Sequence, residues 1–134
     1  VNNNIPDSHH VLRYCKPRTV IDGKIAESAF EFRSGEEFLS VNWLEYFGGI
    51  TADAQVEKVR EDMRKSLKLS AGGRFARVNV GDVKQRVENA KVKHLPTPEN
   101  PSHAGIYAHG EDRLTAILGI ASMVSPGDIF PGKV

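Results

Sequence analysis

Cysteine is almost missing from this sequence: Cys15 stands alone among 134 residues. A single thiol excludes an intrachain disulfide and any metal site built from several thiolates of one chain. It suits a reducing compartment, so a cytoplasmic location is expected. Long apolar runs are missing too. No stretch approaches the roughly 18 consecutive apolar residues of a membrane-spanning helix, so no membrane partner is expected. The first residues lack a basic region followed by an apolar run, so they are not expected to be a signal peptide. A charge excess of one sign is a further absence. Eighteen Lys and Arg balance seventeen Asp and Glu, for a net charge of +1. That gives no global drive towards nucleic acid or an anionic surface. There is no HExxH, no CxxC followed by histidines, and no Walker or Rossmann glycine pattern. Neither a metal nor a cofactor is therefore expected.

What is present describes an ordinary globular chain, with 40% apolar and 26% charged residues. A chain of this length fits one domain and buries roughly two thirds of its unfolded surface. The expectation is a single α+β domain over residues 1–134. Its small mixed or antiparallel sheet would pack against two or three helices, with a loose N-terminal segment and a turn-rich C-terminal tail. Residues 29–47 hold four of the six phenylalanines, the only tryptophan and one of the three tyrosines. So much bulky surface in one run must be largely buried, and it is expected to seed the core.

Periodicity places the elements. Residues 9–15 read as a first strand, and Asp22-Gly23 signals a turn between a short strand and one over 24–33. In the latter, Phe30 and Phe32 alternate with Glu31 and Arg33. A short strand or turn and then a short helix near residues 43–47 should stop at Gly48-Gly49. Residues 51–69 read as a helix capped by Thr51, with Val56, Val59, Met63 and Leu67 on one stripe. A strand follows over 74–80. Next comes a short helix to Ala90 opened by Asp82 and Gln85 as a capping box. Strands near 92–95 and 104–108 flank a loop that Pro96, Pro98 and Pro101 stiffen. A last helix over 111–123 should pack through Leu114, Ile117, Leu118 and Ala121.

Chemistry is expected first from the histidines, which titrate most easily near neutral pH. His10 and His103 are the leading acid/base candidates. Glu45 joins them as a carboxylate set among Trp43, Leu44 and Tyr46. Arg13, Lys16 and Arg33 are suited to hold an anion through charge-assisted bonds, with Tyr107 beside them. Cys15 has no identifiable partner and reads as a buried strand thiol. These groups point to a small, metal-independent hydrolase or transferase that moves protons with histidine and acts on a phosphate-bearing small molecule.

An alternative comes from charge distribution. Residues 25–62 carry nine acids and three bases, whereas residues 63–94 carry nine bases and two acids. Within the basic part, Arg74, Phe75 and Arg77 alternate cation and ring as a single-stranded RNA binder requires. A noncatalytic RNA-binding or protein-interaction module is therefore the second expectation. Self-association into a homo-oligomer through an exposed apolar patch is the third.

Overall fold

The computed structural model describes residues 3–33, 35–110 and 113–133. Eight strands form the framework: β1 His10–Cys15, β2 Val20–Ile21, β3 Lys24–Ile25, β4 Leu39–Trp43, β5 Arg74–Asn79, β6 Lys91–His94, β7 His103–Tyr107 and β8 Ile129–Pro131. Three α-helices accompany them: α1 Ala52–Met63, α2 Val80–Arg86 and α3 Arg113–Leu118. Six strands make one antiparallel sheet in the order β6-β7-β4-β1-β5-β8, while β2 and β3 form a separate hairpin. The fold is α+β. No helix among the described residues is long and apolar enough to cross a membrane.

The sheet is buried on both faces, but unequally. Val11, Cys15, Val41, Ala76, Val78, Ala104 and Ile106 point to one face. There they meet Phe30, Val83, Ile117 and Ile120 from a 3-10 turn, α2, α3 and the turn after α3. Leu12, Phe75 and Phe130 point to the opposite face and meet Val56 and Val59 of α1. Of the sheet strands, only β1, β5 and β8 contribute to that second cluster. Across β4 and β7 the same face carries Ser40, Asn42 and His103, paired in register with Gly105 and with each other. The polar strip beside α1 is the ground on which the candidate site is built.

Local chemistry explains most element ends. Thr51 Oγ1 accepts from the Ala54 amide at 3.2 Å and opens α1 as expected. Asp22 and Gly23 both adopt positive φ, at 52° and 77°, which matches the right-handed twist of the β2–β3 hairpin. Gly48, with φ 77°, ends the 3-10 turn Leu44–Phe47.

Several expectations are corrected. Residues 29–33 are not a strand: Glu27–Phe30 is a 3-10 turn, although Phe30 and Phe32 are both buried as alternation required. The Ala29 carbonyl accepts from the Arg13 side chain instead of from a ladder partner. Helix α1 stops at Met63, and Leu69 enters the core while Leu67 stays exposed. Helix α2 begins directly after β5 and is capped by Asn79 Oδ1 on the Asp82 amide, in place of the expected box opened by Asp82. The last helix tightens to 3-10 over Gly119–Met123, which puts Ile120 in the core and leaves Leu114 outside. Glu111 and Asp112, expected to start that helix, and Val1 and Asn2 of the expected loose end lie outside the described residues. The rest of that end is not loose: Ile5 is buried and its amide donates to the Val92 carbonyl.

The turn-rich tail contains a strand, β8. Phe130 of β8 closes the α1-side core, and buried Arg60 of α1 donates twice to the Pro131 carbonyl, at 2.9 and 2.6 Å. Before it, Asp128 accepts from Arg77 at 2.8 Å and from Ser125 at 2.7 Å. Burial alone would raise the Asp128 pKa; the bonds from Ser125 and Arg77 outweigh it and hold the carboxyl below its ordinary value. A carboxylate lowered in this way stabilises the fold above its unfolded pKa, and that contribution is lost as pH falls through the folded one. Asp128→Asn should therefore cost about 1 kcal/mol at pH 7 and flatten the acid limb of the stability profile, measured by urea titration from pH 7 to pH 2.

Candidate active site

Strand β1 delivers the first groups. Its alternation sends Arg13 to one face and Leu12 and Tyr14 to the other, and Lys16 follows at its end. β1 and β4 pair only at Val11↔Trp43 and Leu12↔Asn42. Beyond that point the Arg13 side chain ties them together: Nε donates to the Ala29 carbonyl and Nη1 to the Ser40 carbonyl, both at 2.8 Å. Burial is the main cause that lowers the Arg13 pKa, with neighbouring Arg33 acting in the same direction.

A cleft of about 370 Å³ opens at this split. Arg13, Lys16, Arg33, Ser40, Asn42 and His103 are among the residues that line it. An adjoining cleft of about 360 Å³ shares Arg13, Tyr14, Lys16 and Arg33 and adds Arg18 and Glu31. Lys16 and Arg33 are exposed and have no carboxylate partner among the described residues. Glu36 also lines the larger cleft, with its carboxylate accepting from the Arg33 backbone amide. The cations outnumber it, so the surroundings favour an anion.

The floor is rigid. Asn42, nearly fully buried, donates to Asn100 Oδ1 at 2.6 Å and to Ser102 Oγ at 2.8 Å. His103 Nδ1 lies 2.9 Å from the Leu95 carbonyl, and its Nε2 lies 3.3 Å from Ser40 Oγ. A carbonyl only accepts, so Nδ1 carries a proton; in the neutral ring Nε2 then offers its lone pair to the Ser40 hydroxyl. Phe38 packs edge-on against the imidazole at 5.9 Å. Gly105 makes room for it, since a Cβ there would come within 2.7 Å of the Phe38 ring.

Of the residues singled out from sequence, Arg13, Lys16, Arg33 and His103 come together in this cleft. His10 and Glu45 come together elsewhere. The Glu45 carboxylate accepts from the His10 amide at 2.7 Å and from its Nδ1 at 2.6 Å. The expected union of His10 and Glu45 with His103 in one cleft is therefore corrected. The Leu12↔Asn42↔His103 register puts the two histidines two strands and two residues apart, about 12 Å between Cα atoms. Their rings bond to different partners. Tyr107 also misses the cleft: its ring stacks near Phe38 at 5.4 Å, and Lys93 lies over it. Ser40 was not singled out from sequence. A serine on a strand carries no local signal of a histidine that sits 63 residues away.

The RNA-binding trio does not form a surface. Phe75 is fully buried in the α1-side core, so no base can stack on it. Arg77 is paired with Asp128, and Arg74 donates to the carbonyls of Ala71 and Gly73. The basic segment is also split by the sheet order, with β5 and β6 separated by β1, β4 and β7. Cys15 is buried, and burial pushes its thiol pKa up to about 12, which makes it a poor nucleophile. Among the described residues no group of three or more His, Cys, Asp or Glu is placed to hold a metal ion. Comparison of the chain with protein-family models, with curated proteins and with solved structures finds no match.

Proposed function

We propose that this protein is a small hydrolase or transferase acting on a phosphate-bearing molecule, with His103 moving the proton. One observation carries the reading: Arg13, Lys16, Arg33 and His103, from three separated segments, line one cleft. Two exposed cations without carboxylate partners among the described residues, and a third fixed by backbone carbonyls, suit an anion with several oxygens. His103 lines the same cleft, with Nε2 3.3 Å from Ser40 Oγ, and a general base must lie within hydrogen-bond reach of the proton it takes.

Binding is tested by titrating the 15N-labelled protein with inorganic phosphate and with phenyl phosphate. Saturable amide shifts should cluster at Arg13, Lys16, Arg33, Ser40 and His103. The K16A/R33A double variant changes only exposed side chains, so it should keep its fold and bind at least about tenfold more weakly. Shifts that cluster elsewhere, or an unchanged affinity in the double variant, would overturn the reading.

A further inference from the structure

We infer that Ser40 is the nucleophile of this site and takes the phosphoryl group covalently, with His103 as its base. The inference rests on the reading that the cleft binds a phosphate-bearing substrate. It adds a residue and an intermediate to that reading.

Three features converge on the Ser40 hydroxyl. The Leu95 carbonyl fixes the tautomer that leaves Nε2 of His103 free to accept, and Nε2 lies 3.3 Å from Oγ. This contact is long for an O–H···N bond, as nucleophile–base contacts often are before substrate closes the site. Ser40 itself is held from two sides. Its backbone sits in the ladder opposite Gly105, and its carbonyl accepts from Arg13 Nη1 at 2.8 Å. Finally, the cation that holds Ser40 also lines the cleft, along with Lys16 and Arg33. The arrangement is a nucleophile, a base and an orienting acceptor, with the backbone carbonyl of Leu95 in the orienting place that a carboxylate fills in a serine–histidine–aspartate triad. The other serine near His103 does not compete: Ser102 is fully buried, and its Oγ accepts from Asn42.

The chemistry balances without a further reagent except water or an acceptor alcohol. Ser40 Oγ attacks phosphorus, the Oγ–P bond forms and the bond from phosphorus to the leaving oxygen breaks. The hydroxyl proton passes to His103 Nε2 and then to the leaving oxygen. Water next attacks phosphorus and gives its proton to Nε2. The Oγ–P bond breaks, and Oγ takes that proton back. An alcohol in place of water makes the same sequence a transfer. Arg13, Lys16 and Arg33 offset the charge on the non-reacting oxygens.

A fluorophosphonate reports directly on such a serine, because it forms an Oγ–P bond and releases fluoride. Incubation of the whole protein should add one phosphonyl group, located on Ser40 by peptide mass spectrometry. Saturating inorganic phosphate should slow the labelling. S40A should not be labelled yet should keep the amide spectrum of the folded protein outside the cleft, and H103Q should be labelled about 10²–10⁴-fold more slowly. Phosphate binding in the cleft with no labelling of Ser40, or labelling of a different serine, would overturn the inference and leave the binding reading standing. Ser40 labelling at an undiminished rate in H103Q would remove His103 as its base. Absence of both phosphate binding and labelling would overturn the two readings together.

Discussion

Phe75→Ala should lower the unfolding free energy by about 3–5 kcal/mol, seen as a fall in the urea midpoint at unchanged slope. The ring is fully buried and packs with Leu12, Leu44, Val56, Val59, Leu69 and Phe130, and it lies 5.2 Å from the Tyr14 ring. Removing it takes away most of the apolar filling between β5 and α1 and leaves a cavity that rigid neighbours on a sheet cannot close. Domains of this size have stabilities of about 5–15 kcal/mol, so the loss is a large share of the whole. Phe75→Leu keeps much of the volume and should cost less than about 1.5 kcal/mol. A Phe75→Ala protein with an unmoved midpoint would show that the ring is not packed, and the stacking role would return.

Arg13→Met should produce the second large effect, in stability and binding together. Methionine fills much of the space but supplies no donors, so the Ala29 and Ser40 carbonyls both lose their guanidinium partner. Each unsatisfied buried acceptor costs about 1–3 kcal/mol. Burial of the Arg13 charge works the other way, because its removal relieves a desolvation cost. Two lost bonds outweigh one relieved charge, and a net loss of about 1–3 kcal/mol is expected. Phosphate should bind at least about tenfold more weakly, since Ser40 loses its anchor and the cleft a cation. Arg13→Lys separates the two contributions. It keeps the charge but cannot span two carbonyls with a planar fork, so it should recover part of the binding and little of the stability. Thermal unfolding and phosphate titration of both variants provide the check.

The two substitutions probe different parts of what the chain encodes. Burial was legible locally. Phe30 and Phe32 alternate with charged residues, and both are inside. Alternation reports which side chains avoid water, however, and not which backbone supplies the hydrogen bonds. The expected strand at 29–33 therefore became a 3-10 turn whose carbonyl is taken by Arg13. Phe75 misled for a related reason. A strand with both faces covered buries both sets of side chains, so Phe75 and Ala76 point opposite ways and are equally hidden. Cations on either side made the ring look like part of a surface.

The sequence by itself determined the turn at Asp22-Gly23, the cap at Thr51, the stop at Gly48 and the α+β class. Each depends on dihedral preferences or hydrogen bonds within a few residues, which the chain carries wherever it folds. The tertiary structure alone decided that Arg13, Lys16 and Arg33 meet His103, that His10 pairs with Glu45 instead, and that Ser40 stands beside the imidazole. The strand order β6-β7-β4-β1-β5-β8 sets β1, β4 and β7 side by side, and the β4–β7 register brings Ser40 and His103 together. Register is set by the simultaneous burial of both faces of a sheet, and a slip of one residue would turn every side chain on a strand to the other face. Ser40 and His103 share a face only because β4 and β7 pair in the register that opposes Asn42 to His103.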